Sequence, residues 1–420
     1  MAIKRPRGVN DFLPPDTGKW RAVEALFHQM CAEYGFNEIR TPLFEETDLF
    51  KRGVGENTDI VQKEMYTFAD QKGRSLTLRP EFTAALCRAY LENKMYGLPQ
   101  PQKLYCMGPL FRYEKPQAGR FRQFHQFDIE VIGTTSPLAD AESIVFAWDF
   151  YSRLNIKGLM VRLNSVGCPA CRSVYRTALQ DHLRSGLPEL CPSCQGRFER
   201  APMRILDCKS EICRSVSVGA PAITDYLCEE CAGHYETVKE TLKACGVPYT
   251  ADSTLVRGLD YYTKTVFEIC ATGIGAQNAV CGGGRYDGLV EIIGGAPTPA
   301  MGVALGLERV FAVLAAQDED IDLEQGIDAF VATDFEDTVA VKAAFALASS
   351  LRQSGVLTAM DYEAKSMKSQ FKTANRLQAA YTVILGSQET VSGKAQVKNM
   401  ESGEQVEMDI EKVRLYLLER

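Results

Sequence analysis

No stretch of the sequence approaches the roughly 20 consecutive apolar residues that a membrane span needs. The basic residues in "MAIKRPRGVNDFLPPDTGKW" are not followed by an apolar run either. The expectation is a cytoplasmic protein with no membrane partner. An excess of positive charge is also missing. The formal net charge is −7, so bulk electrostatics gives no support to nonspecific polyanion binding and leaves only a local basic face as a route to nucleic acid. The glycine run "VCGGGRYDGL" is not a phosphate-binding P-loop, because no Gly-Lys-Ser/Thr closes it. Long internal repeats and low-complexity tracts are absent.

What is present is ordinary globular usage. At 420 residues, 45% hydrophobic and 24% charged, the chain is long enough for two or three domains, each with its own core. "DTGKWRAVEALFHQMCAEYGF" places Trp20, Val23, Phe27 and Met30 on one helical face, with Asp16 or Thr17 as N-cap and Gly35 as the stop. "TLRPEFTAALCRAYLE" reads as a strand entering a helix with Pro80 at its first position, which sets Glu81 and Thr83 at the helix mouth. "KLYCMGPLFRYE" and "FRQFHQFDIEVIG" read as antiparallel strands joined by the loop "KPQAGR". Period two in the second puts Gln126, Asp128 and Glu130 on a polar face that a core would not choose.

Most of the fourteen cysteines fall between Val166 and Cys245, in a stretch read as an inserted subdomain over 166–250. Without a secretory pattern, reduced thiols or a metal site are expected rather than disulfides. Four pairs stand out: Cys168 with Cys171, Cys191 with Cys194, Cys208 with Cys213, and Cys228 with Cys231. Three have the C-x2-C spacing that suits tetrahedral Zn2+. A set of buried thiols fits the same pattern, and both readings stand.

"QDEDIDLEQG", Gln317 to Gly326, reads as an acidic linker. Strands and helices alternate after it, which predicts a small α/β domain over 327–420 with a mainly parallel sheet. Lys365, Lys368 and Lys372 recur at near-helical spacing there, as a solvated stripe or as a contact for nucleic-acid phosphates.

Arg112, Arg257 and Arg309 lie in separate strand or loop contexts. Guanidinium forks match phosphate oxygens and stay charged, so the three point to a polyphosphate clamped while a carboxylate attacks its α-phosphorus. Glu81 and Glu130 suit a cationic or hydrogen-bond-donating ligand. Salt bridges are the plain alternative for both groups.

Five stretches taken together resemble the histidyl-tRNA synthetases, class II aminoacyl-tRNA synthetases. "GFNEIRTPLFEE", "GPLFRYEKPQAGRFRQFHQFDIEVIG" and "MGVALGLERV" resemble the three class II motifs, and "RGLDYYTKTVFE" and "VCGGGRYDGL" the two signatures of the histidine enzymes. The resemblance implies an α+β fold: a six-stranded antiparallel catalytic sheet flanked by helices over 1–325, interrupted by the cysteine-rich insertion, then an α/β anticodon-binding domain. It implies ATP and Mg2+, L-histidine and tRNA(His) as partners, and a homodimer formed around Pro42. Glu81, Thr83, Gln126, Glu130, Tyr261, Tyr262 and Tyr286 match the residues that hold histidine. Arg112, Glu114, Arg257 and Arg309 match those that hold ATP, with Arg257, Arg112 and Gln126 as the catalytic set. Asp128 departs from the family pattern, where glycine is common, and is expected to leave the adenylation residues untouched. Two other readings compete: the synthetase-like regulatory subunit of ATP phosphoribosyltransferase, which should lack the last domain and degrade the signatures, and a zinc-dependent nucleic-acid-binding module, which leaves the arginines and tyrosines unexplained.

Overall fold

The computed structural model describes residues 3–56, 58–115, 120–275, 278–321 and 326–419. The chain separates into two compact units, Met1–Ile321 and Asp322–Arg420. An eight-stranded sheet organises the first. Its six central strands run in the spatial order Gln102–Phe111, Gln123–Ile132, Ala300–Gly306, Ala279–Arg285, Thr263–Cys270 and Met160–Ser165, each antiparallel to its neighbours. Short parallel strands, Asn37–Glu38 and Tyr249–Ala251, close the two edges. The implied six-stranded antiparallel sheet is thus the centre of a mixed one.

Strand alternation divides the two faces as the sequence predicts. Phe127, Ile129 and Val131 enter the main core with Val23, Phe27 and Met30 of the helix Asp16–Glu33 and Ile144, Phe146 and Phe150 of the helix Pro137–Arg153. Phe127 stacks on Phe27 with ring centroids 4.4 Å apart. Burying a side chain of this size stabilises the fold by about 1.5–3 kcal/mol. The opposite face of the same strand is left to Gln126, Asp128 and Glu130.

Two helix starts differ from expectation. Pro15, already in helical conformation, occupies the N-cap of Asp16–Glu33, so Asp16 falls in the first turn and makes no side-chain cap bond. Its charge there still meets the positive end of the helix dipole. The later helix runs Thr83–Glu92, not from Pro80. The carbonyl of Arg79 accepts a strand-type bond from the Phe111 amide at 3.0 Å, and the Arg79 side chain bonds the Thr41 carbonyl at 2.9 Å, so this stretch stays extended. Glu81 and Thr83 nevertheless sit at the helix mouth, where Glu81 Oε1 accepts from the Ala84 amide at 3.0 Å.

The insertion is helical, with Tyr175, Leu179, Leu183, Phe198, Ile205 and Ile223 in a small core of its own. Its last helix, Glu229–Ala244, is fixed to the sheet through buried charge. His234 Nε2 lies 2.7 Å from Asp140 Oδ2, and the fully buried Arg285 forks onto the same carboxylate while donating to the Thr134 carbonyl at 2.8 Å. Burial alone would raise the pKa of Asp140, but His234 and Arg285 hold it below the ordinary carboxylate range.

The second unit carries a five-stranded sheet in the order Thr358–Met360, Ile327–Thr333, Ala379–Leu385, Lys394–Asn399, Gln405–Asp409. Only its first three strands are parallel; the last two form antiparallel pairings, because the stretch 386–393 is too short for the crossover that a parallel neighbour needs. The lysine stripe is shorter than expected. Lys365 precedes the helix Met367–Arg376 and pairs with Asp361 and Glu363 at 3.3 Å, leaving Lys368 and Lys372 on the helix. The loop residues 116–119 and the linker residues 322–325 lie outside the described residues. Among the described residues no helix is long and apolar enough to cross a membrane.

Candidate active site

The polar face of the Gln123–Ile132 strand floors a cavity of about 350 Å³. At its deep end Glu130 is buried, accepting from Thr83 Oγ1 at 2.7 Å and from the Tyr286 hydroxyl. Strand register sets Gly302 directly against Glu130. A Cβ at Gly302 would run into that carboxylate, so glycine is required there. Burial pushes the Glu130 pKa from the ordinary 4.5 up to about 8. Three tyrosines wall the cavity: the Tyr261 ring centroid lies 4.8 Å from that of Tyr262 and 5.6 Å from that of Tyr286.

Three residues lining this space each carry a buried polar atom with no hydrogen-bonding partner among the described residues: Glu81 Oε2, Asp128 Oδ1 and Arg257 Nε. A buried group left unpaired costs about 1–3 kcal/mol, so three around one cavity point to a polar ligand that completes them. Burial raises the pKa of Glu81, and burial together with Glu130 and Glu81 drives that of Asp128 well above the carboxylate range. Asp128 lines the same cavity as Gln126 and Glu81.

Arg257 forms the hinge of the site. Its guanidinium pairs with Glu268, stands 5.9 Å from the Tyr262 centroid, and lies against Gly282, where any Cβ would collide with it. This is what the glycine run of "VCGGGRYDGL" provides: a strand bare enough for an arginine to cross it. Glu268 also contacts Arg162 at 3.4 Å. A second cavity of about 320 Å³ shares Arg112, Glu114, Gln126 and Arg257 with the first and adds Phe124, Gly306 and Arg309. Arg112 Nε donates to the Pro80 carbonyl at 2.8 Å, with its guanidinium 5.3 Å from the Phe124 centroid. Glu114 pairs with Arg120 at 2.9 Å, and Arg309 Nη1 donates to the Ala279 carbonyl at 3.0 Å.

The first cavity thus gathers Glu81, Thr83, Gln126, Tyr261, Tyr262, Tyr286, Arg112, Glu114 and Arg257, with Glu130 bonded behind Thr83 and Tyr286. Arg309 belongs to the second cavity, and the eight paired cysteines line neither. Sequence reasoning missed Glu268, although a single acid inside the apolar strand Thr263–Cys270 was a usable signal. It also missed Arg197, Arg204 and Asp207, which reach the first cavity from the insertion without any sequence cue. Carboxylates able to meet a cation border the same space, Glu64 and Glu114 among them; burial, then the charge of Glu114, raises the pKa of Glu64.

The family model described as histidyl-tRNA synthetase matches residues 8–183 and 216–310. The chain belongs to the histidyl-tRNA synthetase family. A second model, described as an anticodon binding domain, matches residues 328–420. The histidine–tRNA ligase of Desulforamulus reducens is 51% identical over 420 residues, all of both chains. That of Desulfitobacterium hafniense is 51% identical over 98% of this chain and 96% of its own. The crystal structure of apo histidyl-tRNA synthetase from S. aureus superposes with a TM-score of 0.85 at 40% identity, covering 99% of this chain and 100% of that one. The synthetase match leaves 184–215 uncovered, the stretch that holds Cys191, Cys194, Cys208 and Cys213.

Proposed function

We propose that the protein is a histidine–tRNA ligase, which activates L-histidine with ATP to histidyl-adenylate and pyrophosphate and then transfers histidine to the 3′ end of tRNA(His). The observation that carries the site assignment is the pair of contiguous cavities joined at Arg112, Gln126 and Arg257, one walled by acids and tyrosines, the other by arginines and glycines. In this reading histidine occupies the first and ATP the second.

The unpartnered Glu81 Oε2 takes the substrate ammonium, with Thr83 and Gln126 beside it. The imidazole packs among Tyr261, Tyr262 and Tyr286, and one ring nitrogen meets the Glu130–Tyr286 pair. These contacts aim the histidine carboxylate at the join between the cavities. Its oxygen attacks the α-phosphorus, the bond from that phosphorus to the bridging oxygen breaks, and pyrophosphate leaves with the electron pair. Arg112 and Arg257 neutralise the charge that grows on the α-phosphate, which is where preorganised cations act most strongly. Glu114 and Arg309 hold the rest of the nucleotide. In the second step a ribose hydroxyl of the terminal adenosine attacks the adenylate carbonyl, and AMP departs.

Mg2+ fits this donor set: the described carboxylates form no ready-made cage, and Mg2+ is characteristically held by one or two carboxylates plus substrate phosphates, here with Glu64 and Glu114 as the protein donors. When bound it offsets charge on the leaving pyrophosphate. The domain over 327–420 is read as the anticodon-binding part, with Lys368 and Lys372 meeting tRNA phosphates, and the region of Pro42 as a homodimer contact in the cytoplasm. Zn2+ on the cysteines is structural in this reading. The regulatory-subunit alternative is disfavoured by the anticodon-domain match and by full-length relatives at about 50% identity.

Arg257→Ala tests the assignment. Glu268 keeps Arg162 as a partner, so the fold survives. Histidine-dependent ATP–pyrophosphate exchange should fall at least ~100-fold, the usual loss when one transition-state donor is removed. Exchange within twofold of the parent refutes the role.

A further inference from the structure

The eight paired cysteines of the insertion do not gather as one cluster. Their thiols form two separate sets of four, Cys168, Cys171, Cys228 and Cys231 in one, and Cys191, Cys194, Cys208 and Cys213 in the other, and within each set all four sulfurs lie within 4.8 Å of one another. Cys168 and Cys171 Sγ are 3.5 Å apart and Cys191 and Cys208 Sγ 3.9 Å. A disulfide needs about 2.05 Å. Four thiolates around a tetrahedral ion at the usual Zn–S bond length stand about 3.8 Å apart, which matches. A four-iron cluster, with its own sulfides between the irons, needs a wider cage.

The backbone around each set is shaped for a metal. Cys168, Cys191 and Cys228 occupy the N-cap positions of Pro169–Leu183, Pro192–Arg197 and Glu229–Ala244, so the second cysteine of each C-x2-C falls in the first turn, beside the first. Cys171 Sγ accepts from the Cys228 amide at 3.1 Å and Cys213 Sγ from the Cys191 amide at 3.2 Å, the supporting bonds that orient metal ligands. Gly167 turns into the first knuckle at φ +62, and a Cβ there would strike the Cys171 side chain.

We propose that the insertion binds two zinc ions in two tetrathiolate sites, and that the inner one, on Cys191, Cys194, Cys208 and Cys213, fixes the segment that buttresses the Arg257 loop. The segment between Cys194 and Cys208 carries Arg197, Arg204 and Asp207, all of which line the first cavity. Arg197 pairs with Asp59 at 3.1 Å, and Arg204 pairs with Asp260 at 3.2 Å and bonds the Gly258 carbonyl. Gly258 and Asp260 follow Arg257 closely in the chain. Phe198 and Ile205 anchor this segment in the insertion's core, and a metal on the flanking cysteines would add folding energy by pinning its two ends. The outer site ties the first and last helices of the insertion together where they leave the sheet. The metal sites stand independently of the ligase chemistry; the effect on Arg257 rests on it.

The full chain, purified without chelator, is analysed for metal. Two zinc equivalents are expected, falling to one in Cys191→Ser/Cys194→Ser, and Co2+ exchange should give the intense visible bands of tetrahedral thiolate sites. One zinc or none in the parent, a retained pair in that variant, or a red iron chromophore would overturn the proposal. Should the variant fail to fold, release of metal from the parent by a mercurial thiol reagent into a chromogenic chelator still counts the sites, and fewer than two refutes them. The one-zinc variant should also lose at least ~tenfold in ATP–pyrophosphate exchange. Unchanged exchange with one zinc lost removes the buttress while leaving the metal sites; two zincs in a protein inactive with histidine would instead refute the ligase reading.

Discussion

Replacing Glu130 by glutamine should flatten part of the pH dependence of stability. With its pKa near 8 in the fold against 4.5 ordinarily, this carboxyl is protonated in the native state and ionised in the unfolded state between those values. The native state then binds more protons, so stability is fully present below pH 4.5 and falls as pH rises, levelling off above pH 8. At about 1.4 kcal/mol per pH unit over that interval, the loss from this group amounts to about 5 kcal/mol at its limit. A side-chain amide cannot ionise, so the Glu130→Gln chain should gain on the parent steadily from about pH 5 to 8. Both tryptophans, Trp20 and Trp148, lie in the first unit, so denaturant unfolding followed by their fluorescence reads the right part of the chain. Two stability curves separated by a constant offset across this range would refute a raised Glu130 pKa.

Arg285→Ala should destabilise the first unit by about 3–5 kcal/mol, because Asp140 is left buried with its arginine gone; a change below about 1 kcal/mol in the same fluorescence assay contradicts the buried network. Gly302→Ala places a methyl against the Glu130 carboxylate, so the KM for histidine should rise at least ~tenfold while the circular dichroism spectrum stays unchanged. An unaltered KM would show that the strand register does not constrain Glu130.

Much of this was legible in the sequence because it rests on local periodicity. The alternation that sends Phe127 inward also turns Gln126, Asp128 and Glu130 to the other face, and that survives intact in the fold. The motifs carrying Arg112, Arg257 and Tyr286 could be read as chemistry before their meeting was known. What could not be read depends on register and on contacts across long separations. That Gly302 faces Glu130, or that Gly282 makes room for Arg257, follows from which strands pair and in which phase. The sorting of four cysteine pairs into two quartets likewise follows from the path of the insertion, which spacing does not encode. Helix boundaries at Asp16 and Thr83 shifted because proline and a strand contact at Arg79 outweighed the simple capping pattern.

The central claim is that the two joined cavities activate histidine. ATP–pyrophosphate exchange measured with each of the standard amino acids in turn tests it most directly. The account predicts exchange with L-histidine and none above background with the others, since a site with buried Glu81, Glu130 and Tyr286 leaves polar groups unpaired around any other side chain. Exchange with a different amino acid, or with none, would contradict it.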